Sequence, residues 1–323
     1  MDGSSPIPSS TQVQYRGDDA LREVIRAAIA ADARLSQQLV AKEAGFSGAT
    51  LNQWINGVYA GNNEGVETRL RIWIESYQAR QAADVQLPCA PAFVPTQAAS
   101  RVIGALSYAQ IAGDIVVAYG AAGLGKTTAC KQYHDSRPNV WIATMTPASS
   151  GVVTSLEEIV GAVGLDCTGG ALRMHRAVVK RVRDTHGLLV IDEAQHLSVA
   201  ALDQIRSIHD ATGIGIALVG NEGVYARMAG GRNATALDRL FSRIGRRMNL
   251  RSVADADIRL LVKAWGIEDA KCVATLTDVA KRPGALRALT KTLRLASMQA
   301  AAEKRGVCSE DVRAASRELG MAV

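Results

Sequence analysis

Gly120-Ala121-Ala122-Gly123-Leu124-Gly125-Lys126-Thr127 directly follows the apolar run Ile115–Tyr119, and Thr128–Tyr133 after it has a helical pattern. A strand, a glycine-rich turn and a helix in that order spell a phosphate-binding loop. Gly120, Gly123 and Gly125 let backbone amides turn inward around an anion. Lys126 supplies a positive charge for β and γ oxygens, and the Thr127 hydroxyl, with Thr128 beside it, meets the ligand at the helix start and can hold Mg²⁺. The stretch predicts a nucleoside triphosphate seated on a parallel sheet.

A second segment supplies what that loop needs. Gly187-Leu188-Leu189-Val190-Ile191-Asp192-Glu193 is an apolar run ending in two carboxylates, the pattern of a buried parallel strand whose C-terminal end faces a ligand. Asp192 is the candidate metal ligand, and Glu193 the candidate base that polarises an attacking water. Read as a solvated turn, the pair leaves the phosphate loop without a metal partner. Asn221 follows the run Ile216–Gly220, where its side chain can reach the γ-phosphate or the water. Asn-Glu-Gly is also good turn chemistry.

Outward from these motifs, strand-like runs alternate with helical patterns, the signature of an α/β core with a parallel sheet. The expected strands are Ile115–Tyr119, Val140–Met145, Leu188–Ile191, Ile216–Val219 and a short one near Met248–Leu250. After about Ala254 only helical patterns remain. The predicted organisation is an α/β ATPase core over 101–253 and a helical lid over 254–323. Before them stands a small all-α domain over 1–79, joined by a linker at 80–100 that contains Pro88, Pro91 and Pro95.

The first block has helix-turn-helix spacing. Leu39, Leu51 and Ile55 supply apolar contacts, Ala41 permits close helix crossing, and Gly45 falls where the turn needs positive φ. It resembles the small phage-repressor class, whose second helix enters the major groove, and that resemblance points Thr50, Asn52, Gln53 and Asn56 outward. That second helix carries neither Lys nor Arg, which weakens phosphate anchoring and leaves protein docking as the alternative.

Charge is unevenly placed along the 323 residues. Residues 1–99 carry 8 Lys/Arg against 10 Asp/Glu, and residues 100–323 carry 29 against 21, so the basic character belongs to the larger part. Five widely spread cysteines, 48% hydrophobic and 21% charged residues describe a folded chain without a disulfide framework. No apolar stretch approaches the roughly 20 residues of a bilayer span, and Met1–Thr11 has no apolar signal core. The expectation is a cytoplasmic protein with no membrane partner.

The order of phosphate loop, Asp-Glu strand, Asn221, Ser242-Arg243-Ile244 and Gly284-Ala285-Leu286-Arg287 resembles the AAA+ ATPases. The resemblance implies ATP with Mg²⁺ and hydrolysis to ADP and phosphate. It makes Arg243 the first candidate for an arginine finger reaching a neighbouring subunit, Arg239 the second, and Arg287 the lid's phosphate sensor. Arg246 and Arg247, expected near a helix end, read instead as basic surface. A closer likeness spans almost the whole chain. Val140-Trp141-Ile142, Ile191-Asp192-Glu193-Ala194, Arg239-Leu240-Phe241-Ser242-Arg243-Ile244 and Lys281-Arg282-Pro283-Gly284-Ala285-Leu286-Arg287 resemble the Mu B transposition protein family of Mu-like phages. That likeness implies an ATP-dependent homo-oligomer, a filament on double-stranded target DNA. It also implies delivery of target to a transposase, stimulation of strand transfer, and disassembly on hydrolysis. A helicase loader or replication initiator, and an ATP-switched regulator binding an operator, are the competing classes.

One helical stretch carries a pattern of its own. Within Leu172–Asp184, Arg173, Arg176, Lys180 and Arg183 recur at steps of three, four and three, which places them on one face, while Val178, Val179 and Val182 can bury. An isolated basic stripe is often a solvated face. In a net-positive domain it becomes the candidate track for the DNA backbone, with the N-terminal module auxiliary.

Overall fold

The structure, a computed structural model, describes residues 18–86, 91–224 and 234–321. The chain divides into two compact units, Met1–Gln86 and Leu87–Val323.

The first unit is helical: α1 (Asp19–Ala31), α2 (Gln37–Ala44), α3 (Gly48–Ile55) and α4 (Asn63–Gln86). Hydroxyls start the two central helices. Ser36 accepts from the Leu39 amide and Ser47 from the Thr50 amide, satisfying donors that have no partner inside the helix. Gly45 ends α2 at φ 82°, as its place in the turn required. Ala41, Leu51 and Ile55 are buried with Ile25, Trp54 and Leu70. Leu39 is not among these contacts. Its neighbour Val40 is fully buried in its place, because α2 turns positions 40, 41 and 44 inward and leaves 39 at the margin.

The second unit carries a five-stranded parallel sheet in the order β2-β3-β4-β1-β5, from β1 (Ile115–Gly120), β2 (Val140–Thr144), β3 (Leu188–Asp192), β4 (Gly215–Gly220) and β5 (Ile244–Leu250). Side chains alternate across it. Ile115, Val117, Leu189, Ile191, Ile216 and Leu218 face a core shared with α7 (Val152–Ala162), α8 (Ala171–Val182) and α9 (Val199–Thr212). Val116, Ala118, Leu188, Val190, Ala217 and Val219 face the other side, against α5 (Gln97–Ala112) and α6 (Lys126–Ser136). Both faces are covered, which is why these strands read as unbroken apolar runs.

Two boundaries differ from the sequence pattern. Helix α4 runs to Gln86 and α5 begins at Gln97, so both ends of the proline-containing stretch are helical. The last strand starts at Ile244, four residues before the expected Met248, so Arg246 and Arg247 lie on β5 and not at a helix end. An edge strand with one row open to solvent tolerates such charges, and Arg247 lays its guanidinium over the Phe241 ring, 4.9 Å from the centroid.

Four helices follow: α11 (Asp255–Ala264), α12 (Ala270–Ala280), α13 (Ala285–Ala302) and α14 (Ser309–Glu318), after α10 (Ala234–Phe241) ahead of β5. They enclose their own core of Val262, Leu276, Leu289, Leu293 and Val312. Buried Asp257 ties this lid to the sheet domain by accepting from the Gln97 and Ala98 amides at 2.6 and 3.2 Å. A carboxylate on one element thus caps the start of a helix some 160 residues away in sequence, where it also meets the positive end of the helix dipole. Among the described residues no helix is long and apolar enough to cross a membrane.

Candidate nucleotide site and nucleic-acid surface

The parallel sheet brings the C-terminal ends of β1, β3 and β4 to one edge, and the predicted residues of all three segments meet there. A cavity of about 530 Å³ is lined by Gly123, Gly125, Lys126, Thr127 and Thr128 from the phosphate loop, by Glu193 and Asn221 from the strand ends, and by Arg287 from the lid. Gly123 and Gly125 sit at φ 82° and 85°. A Cβ at Gly123 would lie 1.9 Å from the Gly284 carbonyl oxygen, so glycine is what lets the loop touch the lid.

Lys126 folds back on its own loop, donating from Nζ to the Gly120 and Ala121 carbonyls at 2.9 and 2.8 Å. Thr127 Oγ1 donates to Asp192 Oδ2 at 2.8 Å, and the Glu193 amide donates to the other Asp192 oxygen at 3.0 Å. Both ions are under-compensated. Burial pushes the Asp192 carboxyl above its ordinary range, against the Thr127 and Glu193 hydrogen bonds, and it lowers the Lys126 ammonium despite the nearby Glu193 and Asp192 charges. A hydroxyl and a buried carboxylate side by side are hard oxygen donors of the kind Mg²⁺ takes, and an anionic phosphate would offset the burial cost of the Lys126 charge, so the residues present fit a metal-bound triphosphate.

Glu193 adopts φ 55°, ψ 37°, left-handed backbone that a non-glycine residue enters at a cost of about 1–2 kcal/mol. Strain of this kind is retained where its surroundings enforce a particular direction for the side chain. Asn221 serves its turn, accepting from the Gly223 amide at 2.8 Å, while still lining the cavity. Sequence reasoning passed over three cationic or acidic contributors. Lys291 and Arg294 follow Arg287 along α13 at steps of four and three and line the same cavity, a spacing that the helix period could have revealed. For Asp257 there was no local signal, since its partners lie at the other end of the domain.

The remaining arginines are elsewhere. Arg243 immediately precedes β5, whose first residue Ile244 pairs with Ile115 at the N-terminal end of β1. The six residues of β1, at about 3.3 Å each, span roughly 20 Å between that end and the phosphate loop. Neither Arg243 nor exposed Arg239 borders the cavity. Arg243 is held outward by Asp210, its Nε donating to Oδ1 at 3.0 Å.

The basic stripe forms largely as its spacing required. Met174, Val178 and Val182 are buried, and Arg173, Arg176, Lys180 and Arg183 are exposed. The helix ends at Val182, short of the expected Asp184, so Arg183 stands at its C-cap and donates from Nη2 to the Ala211 carbonyl at 3.2 Å. Arg176, Lys180 and Arg183 border a shallow cavity of about 390 Å³, and among the described residues Arg173, Arg176 and Lys180 have no acidic partner. Asn52 and Gln53 on α3 and Asn56 at its C-cap are exposed; the Asn56 side-chain amide donates to Asn52 Oδ1 at 3.1 Å, and the Thr50 hydroxyl is engaged with Ser47.

Known proteins extend this picture. Residues 242–319 match the family described as Mu B transposition protein, C terminal, and residues 112–228 match an AAA domain. The ATP-dependent target DNA activator B of Escherichia phage Mu is 36% identical over 285 residues, covering 88% of this chain and 90% of that protein. The Mu-like prophage FluMu DNA transposition protein B of Haemophilus influenzae is 34% identical, covering 81% and 91%. Among solved structures, the ORC2 protein of Aeropyrum pernix superposes with a TM-score of 0.55 at 18% identity, covering 70% of this chain and 69% of that one, a likeness of fold.

Proposed function

The chain belongs to the Mu B transposition protein family, and on that premise we propose that it is an ATP-dependent target DNA activator, an ATPase that assembles on double-stranded DNA, presents it to a transposase and stimulates strand transfer. In this reading ATP hydrolysis to ADP and phosphate releases the protein from DNA. The observation that carries it is the convergence of Lys126, Thr127, Glu193 and Arg287 on one cavity shared with the lid, with buried Asp192 bonded to Thr127 beside it.

Each residue then has a role derived from its surroundings. The phosphate-loop amides and Lys126 bind the β- and γ-phosphates, the ammonium leaving the Gly120 and Ala121 carbonyls for a stronger anionic partner. Thr127 and Asp192 hold Mg²⁺, which supplies charge neutralisation at the phosphate oxygens when bound. Glu193 accepts a proton from the attacking water, and Asn221 orients that water or the γ-phosphate. Arg287 reports the γ-phosphate to the lid. Arg243 acts on the cavity of the next subunit, since its own lies at the opposite end of the sheet, with Arg239 the alternative. The α8 stripe tracks the DNA backbone, with Thr50, Asn52, Gln53 and Asn56 of α3 as auxiliary contacts.

Three variants test the reading in one assay of nucleotide affinity, turnover and DNA retention. Lys126→Ala loses ATP affinity and ATP-dependent DNA binding together. Glu193→Gln keeps both while hydrolysis falls about a hundredfold or more, leaving long-lived DNA complexes. Arg243→Ala is inactive alone but regains part of its turnover when co-assembled with Lys126→Ala, which provides the intact arginine. Unchanged affinity in the first variant, normal turnover in the second, or co-sedimentation without rescue in the mixture would each overturn the corresponding assignment.

A further inference from the structure

Gln195 stands behind the nucleotide cavity, on the short 3-10 turn Ala194–His196 that follows Glu193. It does not line the cavity. Its two amide atoms are nonetheless both committed to residues that do. Nε2 donates to Glu193 Oε2, and Oε1 accepts from the backbone N–H of Asn221 at 3.2 Å. One side chain therefore joins the carboxylate at the end of β3 to the first residue beyond β4.

The local backbone is arranged around this bridge. The left-handed conformation of Glu193 turns the chain so that residue 195 comes back beside residue 193. Gly220 leaves the space into which the amide fits: a Cβ there would stand 2.2 Å from Gln195 Oε1 and 2.6 Å from Val224 Cγ2. Gln195 is half-buried, so its amide has little water to fall back on and both bonds are worth keeping. Glutamine suits the task chemically, because its amide offers a donor to the carboxylate and an acceptor to the N–H from one rigid plane.

We infer that Gln195 is a positioning residue for hydrolysis, fixing the Glu193 carboxylate in the direction from which it takes the proton of the attacking water and setting that direction relative to Asn221. Holding one carboxylate oxygen by the amide leaves the other free to accept from water, and restricts rotation about the last bond of the Glu193 side chain. Misplacement of a reacting group by about an ångström can cost a hundredfold in rate. The inference rests on the assignment of Glu193 as the water-activating residue.

The test uses the full-length protein on DNA with saturating ATP. Gln195→Met keeps the shape and removes both hydrogen bonds; Gln195→Glu keeps an acceptor for the Asn221 N–H but replaces the donor with a second carboxylate facing Glu193. Positioning predicts that kcat falls about tenfold or more in Gln195→Met and at least as far in Gln195→Glu, with KM and directly measured Kd for ATP within about twofold of wild type. Adding Gln195→Met to Glu193→Gln should lower turnover no further, since nothing remains to be positioned. A wild-type or raised kcat in Gln195→Met, or recovery in Gln195→Glu, would overturn the inference, the latter by showing that only the Asn221 contact matters. A fall in ATP affinity matching the fall in kcat would also overturn it. Normal turnover in Glu193→Gln alone would instead remove the underlying assignment.

Discussion

Helices α3 and α8 are the two surfaces proposed above to contact DNA, and they are built on opposite principles. Helix α3 presents neutral amides, Asn52, Gln53 and Asn56, on a unit whose sequence is net negative, and part of that polar surface is satisfied internally by the Asn56–Asn52 hydrogen bond. Helix α8 presents Arg173, Arg176 and Lys180 without acidic partners among the described residues, on the net-positive remainder, with Arg183 fixed at its end by a carbonyl. Amides read base edges but contribute little attraction at a distance; cations bind phosphate whatever the sequence and displace counterions in doing so. We therefore propose that general affinity belongs to α8 and that α3 contributes, at most, a preference among sequences.

The largest expected effect falls on α8. Arg176→Ala combined with Lys180→Ala should weaken binding to unrelated duplexes about ten- to a hundredfold near 0.1 M salt, and should reduce the slope of log affinity against log salt by about two. Anisotropy at several salt concentrations, with ATP affinity checked separately, reads both. Wild-type affinity and slope would make the stripe a solvated face and transfer the role to the arginines of β5 or to α3. A smaller effect is expected from Asn52→Ala with Gln53→Ala, about threefold or less on random duplex and with an unchanged salt slope. A loss above tenfold confined to one sequence would reverse the assignment and make α3 a specific reader.

How much of this was legible in the sequence follows the range of the interactions involved. The phosphate loop, the Asp-Glu strand end and the α8 stripe are each written in fewer than fifteen consecutive residues, and each appears where its spacing put it. The strands on either side of the loop were readable because two-sided burial leaves no polar alternation to confuse them. Edge strand β5 was half missed, since Gly245 falls at a register shift with no β1 partner and the charged Arg246 and Arg247 are held in the strand by pairing with Val116 and Val117. The choice of Val40 over Leu39 depended on where α2 begins. Asp257 and Gln195 were invisible for a different reason. Asp257 works on amides some 160 residues distant, and Gln195 acquires meaning only when β3 and β4 stand side by side.

The smallest effect concerns whether α3 and α8 are carried by scaffolds that respond separately to acid. In each unit the carboxylate drawn lowest among the described residues is held by an arginine. In the first, Asp32 is drawn down to about 2, chiefly by the side-chain hydrogen bonds of Arg34, and it also receives the Tyr77 hydroxyl from α4 at 3.3 Å. In the lid, Asp311 is pushed well below the usual carboxylate range, chiefly by Arg305, whose Nη2 donates to Oδ1 at 2.7 Å. Both folded-state values lie below the unfolded value of about 4, so each carboxylate contributes stability that is fully present above that pH and lost as pH falls towards the folded value. Asp32→Asn should therefore raise the acid midpoint of residues 18–86 by a few tenths of a pH unit and leave 91–321 unchanged, with Asp311→Asn doing the reverse. Hydrogen exchange resolved by peptide, stepped from pH 6 to pH 2, separates the two. If either substitution moves both regions together, the two units unfold as one, and a DNA-binding loss caused by damage to α3 could no longer be credited to α3 alone.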